Sequence, residues 1–464
     1  MKMIPFAQED IKYLAVELPD SVKHFQYSGD FEGELGEIRR LLNRVDSPAL
    51  KKRLLIESVI AEQMKYDYLT SSEELIQRIK ADYPLFNSLS LSQLTELGSA
   101  DYIYKGGKRF YQNSAYRNIM NTCPSRLDGM RSDGSLGKNV PCSVLWETEN
   151  RDIMKKHPGR AVKHTVRFIR RLKPEYVREG KTLTLHLPFP AICPEQREIR
   201  LEGSTHDVYI SNADHRTAAI RTTVKGEDVY GIEFSLVNVA KYTEIDPDRV
   251  KKHEKTFFTE EKLPQIRVTP YMKALAREIT GPYRTDLEKA YAIYKYITEN
   301  IQYSYMRDYL CIANIPEYAC LNGRGDCGVQ ALVFITLCRI AKIPAKWQSG
   351  CTARDGIGSH DWAQVYIEPY GWLPVDPSYG GGAFRRGETD MRDYYFGNID
   401  PYRIITCNDI QTPFDPPKRF MRSDPYDNQQ AELEYEDEGL PESASVGERL
   451  LLSSEEVTEK YLAK

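Results

Sequence analysis

Cys327, His360 and Asp376 are the residues of this chain whose types and spacing suit covalent catalysis. Asn322-Gly323-Arg324-Gly325 is turn sequence leading into Asp326 and Cys327. The stretch 329–340 is apolar nearly all round, so it reads as a buried helix with Cys327 at its N-terminus. Unpaired backbone N–H groups and the positive end of the helix dipole favour a thiolate there, lowering the thiol pKa from its free value near ~8.5. Cys338, farther along the same helix, gains nothing of this kind. His360 begins an alternating strand, with Trp362, Gln364 and Tyr366 on its own face and Asp361, Ala363, Val365 and Ile367 on the other. Glu368-Pro369-Tyr370-Gly371 is turn sequence, after which the chain returns through Trp372 to Asp376. A hairpin centred near residue 368 or 369 sets Asp376 opposite His360 or one diagonal away, with both side chains on one face. A thiol at a helix end, an imidazole and a carboxylate that holds the imidazole's tautomer are the parts of a cysteine nucleophile triad.

Several kinds of element must position these groups. The first ~120 residues read as helices: Leu35, Ile38, Leu41 and Leu42 have helical spacing, as do Leu50, Leu54, Leu55 and Val59 after Pro48, and Ser71 with Glu74 forms a capping box. Gly- and Ser-rich sequence over 128–138 marks a boundary. From about 160 to 242 the period switches to two, through Val162, Val166 and Phe168, then Leu183, Leu185 and Leu187, and later Ile232, Phe234 and Leu236. With shorter β-prone pieces at 199–201, 208–210 and 219–224, six strands make a small β-sandwich. His164, His186, His206 and His215 read as its strand or loop residues. Helices resume at Thr269-Pro270 and at the capping box Thr285 to Glu288. The domains expected are therefore a helical region over 1–128, a sandwich over 140–255, a catalytic domain over 262–420 and an acidic tail over 421–464.

Composition narrows the classes. Charged residues are 28% and apolar residues 41% of 464, with 29 Gly and 26 Pro, which excludes collagen-like, low-complexity and wholly disordered chains. The longest apolar stretch, around 331–337, is far shorter than the ~18 residues a membrane span needs. Net charge is -4, and residues 424–464 carry twelve acids against three bases. That stretch reads as a solvated tail, or a segment lying across a cleft, with a short amphipathic helix over 446–462. No dense Lys/Arg run interleaved with aromatics is present, so neither nucleic acid nor membrane is an expected partner. Nine cysteines without C-x-x-C spacing form neither a disulfide framework nor a zinc site, and no metal or cofactor is expected. With no apolar export segment at the start, the cytoplasm is the expected compartment.

The stretch from about 270 to 417 resembles the transglutaminase-like superfamily of papain-like thiol enzymes. The matching features are Gly323-x-Gly325-Asp326-Cys327, the apolar helix ending in Ile343-Pro344-Ala345, the strand through Trp347 to Gly350, His360-x-Trp362, and Trp372-x-x-Val375-Asp376-Pro377. The resemblance implies an α+β papain-like core preceded by a β-sandwich and a helical N-terminal region. It also implies Cys327 as nucleophile, His360 as base and then acid, and Asp376 as the orienting carboxylate. Tyr303 or Tyr305 would be the upstream oxyanion donor beside the Cys327 backbone N–H. Arylamine N-acetyltransferases keep their cysteine near the N-terminus, and peptide N-glycanases add C-x-x-C zinc halves; neither pattern is present. The function implied is a peptidase or amidase acting on a protein or peptide through a thioester. The alternatives are a protein-glutamine transamidase or deamidase, or a non-catalytic scaffold that retains the core. Trp362 and Trp372 read as packing walls of the cleft.

Overall fold

The computed structural model describes residues 4–140, 144–226, 228–252 and 256–462. Its N-terminal part is helical, as the spacing predicts. The twenty-residue helix Pro48–Asp67 is capped by Ser47, and Ser72–Lys80 carries the Ser71/Glu74 capping box. This region also holds a small antiparallel sheet of strands β1 (Thr70–Ser71), β2 (Tyr102–Lys105) and β3 (Lys108–Tyr111), which the helical reading did not include. Ile56, Val59, Ile60 and Met64 of the long helix lie in one hydrophobic cluster with Ile293, Ile297, Val333 and Leu337. The N-terminal helices therefore share a core with the elements that carry Cys327, and at about 1.5–3 kcal/mol per buried aliphatic side chain that packing joins them firmly.

The period-two stretch gives the six strands its alternation predicts: β4 (Gly159–Leu172), β5 (Thr182–Pro188), β6 (Gln196–Ser204), β7 (Val208–Ile210), β8 (Thr217–Thr223) and β9 (Tyr230–Lys241). A helix, Leu145–Lys156, precedes them within the span read as sandwich. Next come the parallel pair β10 (Gln302–Tyr303) and β11 (Arg324–Gly325), then β12 (Ala345–Ala353), β13 (Ile357–Ile367), β14 (Gly371–Val375) and β15 (Arg403–Cys407), which form a sheet in the order β14-β13-β12-β15. The helix Cys327–Ile340 packs on the β13 and β12 side of this sheet, where Trp347, Ala363 and Val365 meet it.

The C-terminal segment corrects the sequence reading. Residues from 421 onward are not a solvated tail: β16 (Glu432–Tyr435) pairs with β5 and β17 (Ser445–Glu456) pairs with β4, completing two four-stranded sheets, β16-β5-β8-β7 and β17-β4-β9-β6. The stretch expected as an amphipathic helix is mostly β17, with only Thr458–Leu462 helical. Leu433 and Tyr435 are buried in the sandwich core with Val166, Leu185 and Phe234. The two acids of β16 are satisfied by groups lying just upstream. The Glu432 carboxylate accepts from Lys418 at 2.9 Å and Arg422 at 3.1 Å, and backbone N–H groups of Arg419 and Phe420 donate to Glu434. Burial opposes ionisation of Glu432, but Lys418 and Arg422 bring its pKa down to about 2.

Candidate active site

The turn before Cys327 is built backwards from its neighbours. Gly323 ends the preceding helix, Ile315–Asn322, in the left-handed region at φ 62°, a conformation glycine adopts without strain. β11 then pairs in parallel with β10, setting Tyr303 against Gly325. Asp326 caps the next helix by accepting from the Val329 N–H at 3.1 Å and from the Tyr309 hydroxyl. A side chain at Gly328 would collide with the Tyr309 hydroxyl, the Asp361 carboxyl and Trp347, so Gly is required immediately after Cys327.

His360 and Asp376 meet as the hairpin register predicts. β13 and β14 pair Ala363 with Val375, so Asp376 is one diagonal from His360, and the His360 Nε2 to Asp376 Oδ2 distance is 2.7 Å. The same Oδ2 accepts from Arg403 Nη1 at 2.8 Å, and Oδ1 accepts from the Tyr379 N–H and the Ser378 hydroxyl, both at 3.0 Å. Burial would raise the Asp376 pKa, but His360 and Arg403 together hold it well below the usual carboxylate range. Arg403 is itself fully buried and gives its Nε to Asp400 at 2.8 Å. With Asp376 ionised, the hydrogen-bond network assigns the imidazole proton to Nε2 and leaves Nδ1 as the basic nitrogen. Burial lowers the His360 pKa, partly offset by Asp376, which keeps the ring neutral near pH 7. Trp362 stacks on the ring at 5.9 Å and Tyr379 meets it edge-on at 4.9 Å.

Cys327 differs from the sequence expectation. Its Sγ donates to Asp361 Oδ2 at 3.3 Å rather than to the imidazole of His360. Burial, then the Asp361 and Asp326 carboxyls, push the thiol pKa well above its ordinary value, against the Asp361 backbone N–H. The helix-end effect that favours a thiolate is thus outweighed, because burial and two carboxyls, Asp326 from the turn and Asp361 from β13, meet at the sulfur. Asp361 belongs to a second cluster on the helix side of the sheet. Its Oδ1 accepts from Gln429 Nε2 at 2.5 Å, and Asp427, bonded to the Ser349 hydroxyl, lies beside it. Burial and the neighbouring Asp427 push Asp361 up, so the two carboxyls hold a proton between them.

Of the two tyrosines, Tyr303 is half-buried beside Cys327; desolvation, then the Cys327 thiol and the Asp326 carboxyl, push its phenol up. Tyr305 is 43% exposed and only packs edge-on against Tyr303. Trp362 is buried with its Nε1 donating to Gln348 Oε1 at 2.9 Å, whereas Trp372 sits among Phe257, Phe258 and Tyr366. A cleft of about 390 Å³ lined by Trp146, Thr352, Arg354, Gly358 and Tyr402 reaches Tyr379 beside His360. His164, His186 and His215 are buried and hydrogen-bonded within or against the sandwich. Eight of the nine cysteines are free thiols, and Cys142 lies outside the described residues. Among the described residues, no group of three or more His, Cys, Asp or Glu side chains could hold a metal, and no helix is long and apolar enough to cross a membrane.

Residues 273–377 match the family model of the transglutaminase-like superfamily. This part of the chain is a transglutaminase-like domain. The matched span contains Cys327, His360 and Asp376, while Tyr379, Arg403, Asp427 and Gln429 lie beyond it. Sequence reasoning missed Arg403 although it left a signal, a lone charge in the otherwise apolar strand Arg403–Cys407; Gln429 left none. Among solved structures, the chain is similar to a proposed cysteine protease from Cytophaga hutchinsonii, at 13% identity and a TM-score of 0.38, covering 64% of this chain and 91% of that one. It is also similar to the periplasmic domain of TgpA from Pseudomonas aeruginosa, at 15% identity and a TM-score of 0.28, covering 55% and 99%. Likeness at this level carries no functional argument. No curated protein matches the chain.

Proposed function

We propose that the chain is a cysteine-dependent enzyme that cleaves carboxamide bonds of a protein or peptide through a thioester on Cys327. The observation that carries this reading is the 2.7 Å bond of His360 to an Asp376 fixed by Arg403, on the strand whose next residue holds the Cys327 thiol. In the reaction, Sγ leaves Asp361 and gives its proton to His360 Nδ1. The thiolate attacks the carboxamide carbon, and the oxyanion is held by the Cys327 N–H and the Tyr303 hydroxyl. His360 returns the proton to the leaving amine, which leaves a thioester and a neutral imidazole. Water deprotonated by His360 then releases the acid and the thiol. The cleft ending at Tyr379 is where the substrate chain would approach His360.

Hydrolysis is favoured over transamidation by the groups around the sulfur. A transamidase has to keep water from its thioester, whereas Asp361, Asp427, Ser349 and Gln429 put a polar, hydrogen-bonded cluster beside the sulfur rather than an apolar wall. Eight free thiols suit a reducing compartment. The second reading, a binding protein that keeps the core, is favoured by the thiol's bond to Asp361, which opposes thiolate formation. Mass spectrometry on a pool of glutamine-containing peptides, with and without a primary amine and beside Cys327→Ala, separates these outcomes. Cleaved peptides support the peptidase and deamidated glutamine the amidase. Amine adducts would identify a transamidase, and products equal in Cys327→Ala would remove Cys327 from the chemistry.

A further inference from the structure

The sulfur of Cys327 faces a pair of carboxyls that share one proton, and different donors act on its two members. Asp361, on β13, accepts the Cys327 thiol on Oδ2 at 3.3 Å and Gln429 Nε2 on Oδ1 at 2.5 Å. Asp427 accepts on Oδ1 from the Ser349 hydroxyl of β12 and from the Asn428 N–H, the latter at 2.6 Å. One negative charge therefore has two places to reside. A carboxylate is stabilised where N–H and O–H groups point at it, so these donors decide which place is filled. Charge on Asp361 lies against the sulfur and opposes a thiolate, whereas charge on Asp427 lies one carboxyl farther away.

Gln429 is held from several sides. Its Nε2 also donates to the His360 carbonyl at 3.0 Å, so one amide bridges the two consecutive residues of β13 that face opposite sides of the sheet. Its carbonyl accepts from Arg449 Nη1 of β17 at 3.3 Å, and the same Nη1 donates to the Ser359 hydroxyl at 3.0 Å. Asn428, just before it, is buried and fixed by the Thr406 hydroxyl at 2.6 Å and by the Arg216 carbonyl at 2.8 Å. The Gln429 side chain is only half-buried, so it can leave Asp361 while the backbone stays in place.

We infer that Gln429 is a positioning residue for Cys327: by donating to Asp361 it keeps the pair's negative charge beside the sulfur, and when it swings away the charge passes to Asp427 and the thiol ionises more readily. No bond other than O–H changes in this switch, because the shared proton moves from Asp427 to Asp361. The other titratable groups facing the sulfur are Asp326 from the turn, Tyr303 from β10, and Tyr309, whose hydroxyl donates to Asp326. Burial brings the Asp326 pKa up to about 6 and pushes both phenols up, so between pH 7 and 8 Asp326 is ionised and the phenols are not. Facing Asp427 are Arg422, the buried Cys407 thiol and Asp424, which burial and Asp427 bring up to about 8.

The test is the rate of iodoacetamide labelling of Cys327 against pH, from 7 upward, read by peptide mass mapping in the full chain and in three variants. Gln429→Met keeps the bulk but has no N–H to donate. Cys327 should then label about tenfold faster at pH 7, with its rate profile displaced about one unit to lower pH, the scale of one hydrogen bond to a charged group. Ser349→Ala removes a donor from Asp427 and should shift both the opposite way. Gln430→Met, whose side chain bonds Arg170 instead, should match wild type. Unchanged labelling of the cysteines away from the pair shows that each variant is folded. Equal rates in wild type and Gln429→Met, shifts of the same sign in Gln429→Met and Ser349→Ala, or an equal rise in Gln430→Met would overturn the inference. Its bearing on catalysis rests on Cys327 being the nucleophile, but labelling needs no substrate. A failed search for the acyl-enzyme with these shifts intact would remove the thioester and leave the switch standing.

Discussion

Arg403→Met is the substitution whose cost follows most directly from the structure. Arg403 is fully buried and bridges two buried carboxylates, Asp376 through Nη1 and Asp400 through Nε, both at 2.8 Å. Removing one partner of a buried ion pair costs about 3–5 kcal/mol, because the charge left behind stays desolvated. Two carboxylates are stranded here, so the upper end, about 5 kcal/mol, is expected. At roughly 2–4 °C per kcal/mol for a cooperative unit of about 150–250 residues, the size of the domain that carries the site, the melting temperature of that unit should fall by about 10–20 °C. The sign of the pH dependence follows from Asp376, whose folded pKa is depressed despite burial. Its contribution is present above the unfolded value near ~4 and is lost as pH falls through the lower folded value. The deficit of the variant should therefore be full at pH 7 and shrink on acidification below about 4. Arg403→Lys keeps the charge but not the two-pronged geometry and should fall between the two. Circular dichroism melts of the three proteins across pH measure all of this. A Met variant that melts within ~2 °C of wild type at pH 7, or a deficit that grows on acidification, would refute the reasoning.

Three further outcomes are expected. Asp361→Asn removes a carboxyl that holds the Cys327 thiol neutral, so iodoacetamide should label Cys327 faster at neutral pH while the other cysteines keep their rates, as peptide mass mapping would read. Tyr303→Phe should lower kcat by about 10²–10³-fold, the usual cost of one oxyanion donor, while Tyr305→Phe leaves kcat unchanged because its ring faces solvent; steady-state kinetics on a peptide found by the mass-spectrometric screen compares them. Tyr435→Ala should cost about 4 kcal/mol in urea unfolding, since Tyr435 is buried in the sandwich and its hydroxyl donates to the Tyr176 carbonyl at 2.8 Å. A truly solvated tail would show no loss there.

What the sequence made legible was local. The hairpin that joins His360 to Asp376 is a matter of strand period and turn position, both of which can be counted along the chain. The apolar run after Cys327 and the capping boxes opened by Thr285 and Ser71 are equally local, and each cap is made as its spacing predicts. The errors came from partners distant in sequence. An acidic stretch looks solvated until Lys418 and Arg422 are seen to neutralise Glu432, and β16 and β17 find their partners some 250–290 residues upstream. The thiol's environment was misread for the same reason: a helix N-terminus is visible in sequence, but Asp361 approaches the sulfur only when β13 packs on the helix, and Asp427 and Gln429 arrive from the far end of the chain. Asp361 was nevertheless on the face opposite His360 by simple alternation, which is the face that meets the helix.

The central claim is a thioester on Cys327, and trapping it is the most direct measurement. The chain is mixed with an activated acyl-peptide ester, quenched in acid within the first turnovers, and analysed by intact and peptide mass spectrometry. Wild type should carry one acyl group, located on Cys327. His360→Ala should acylate far more slowly, and Cys327→Ala should remain unmodified. An acyl group on another cysteine, or turnover by Cys327→Ala equal to wild type, would contradict the account.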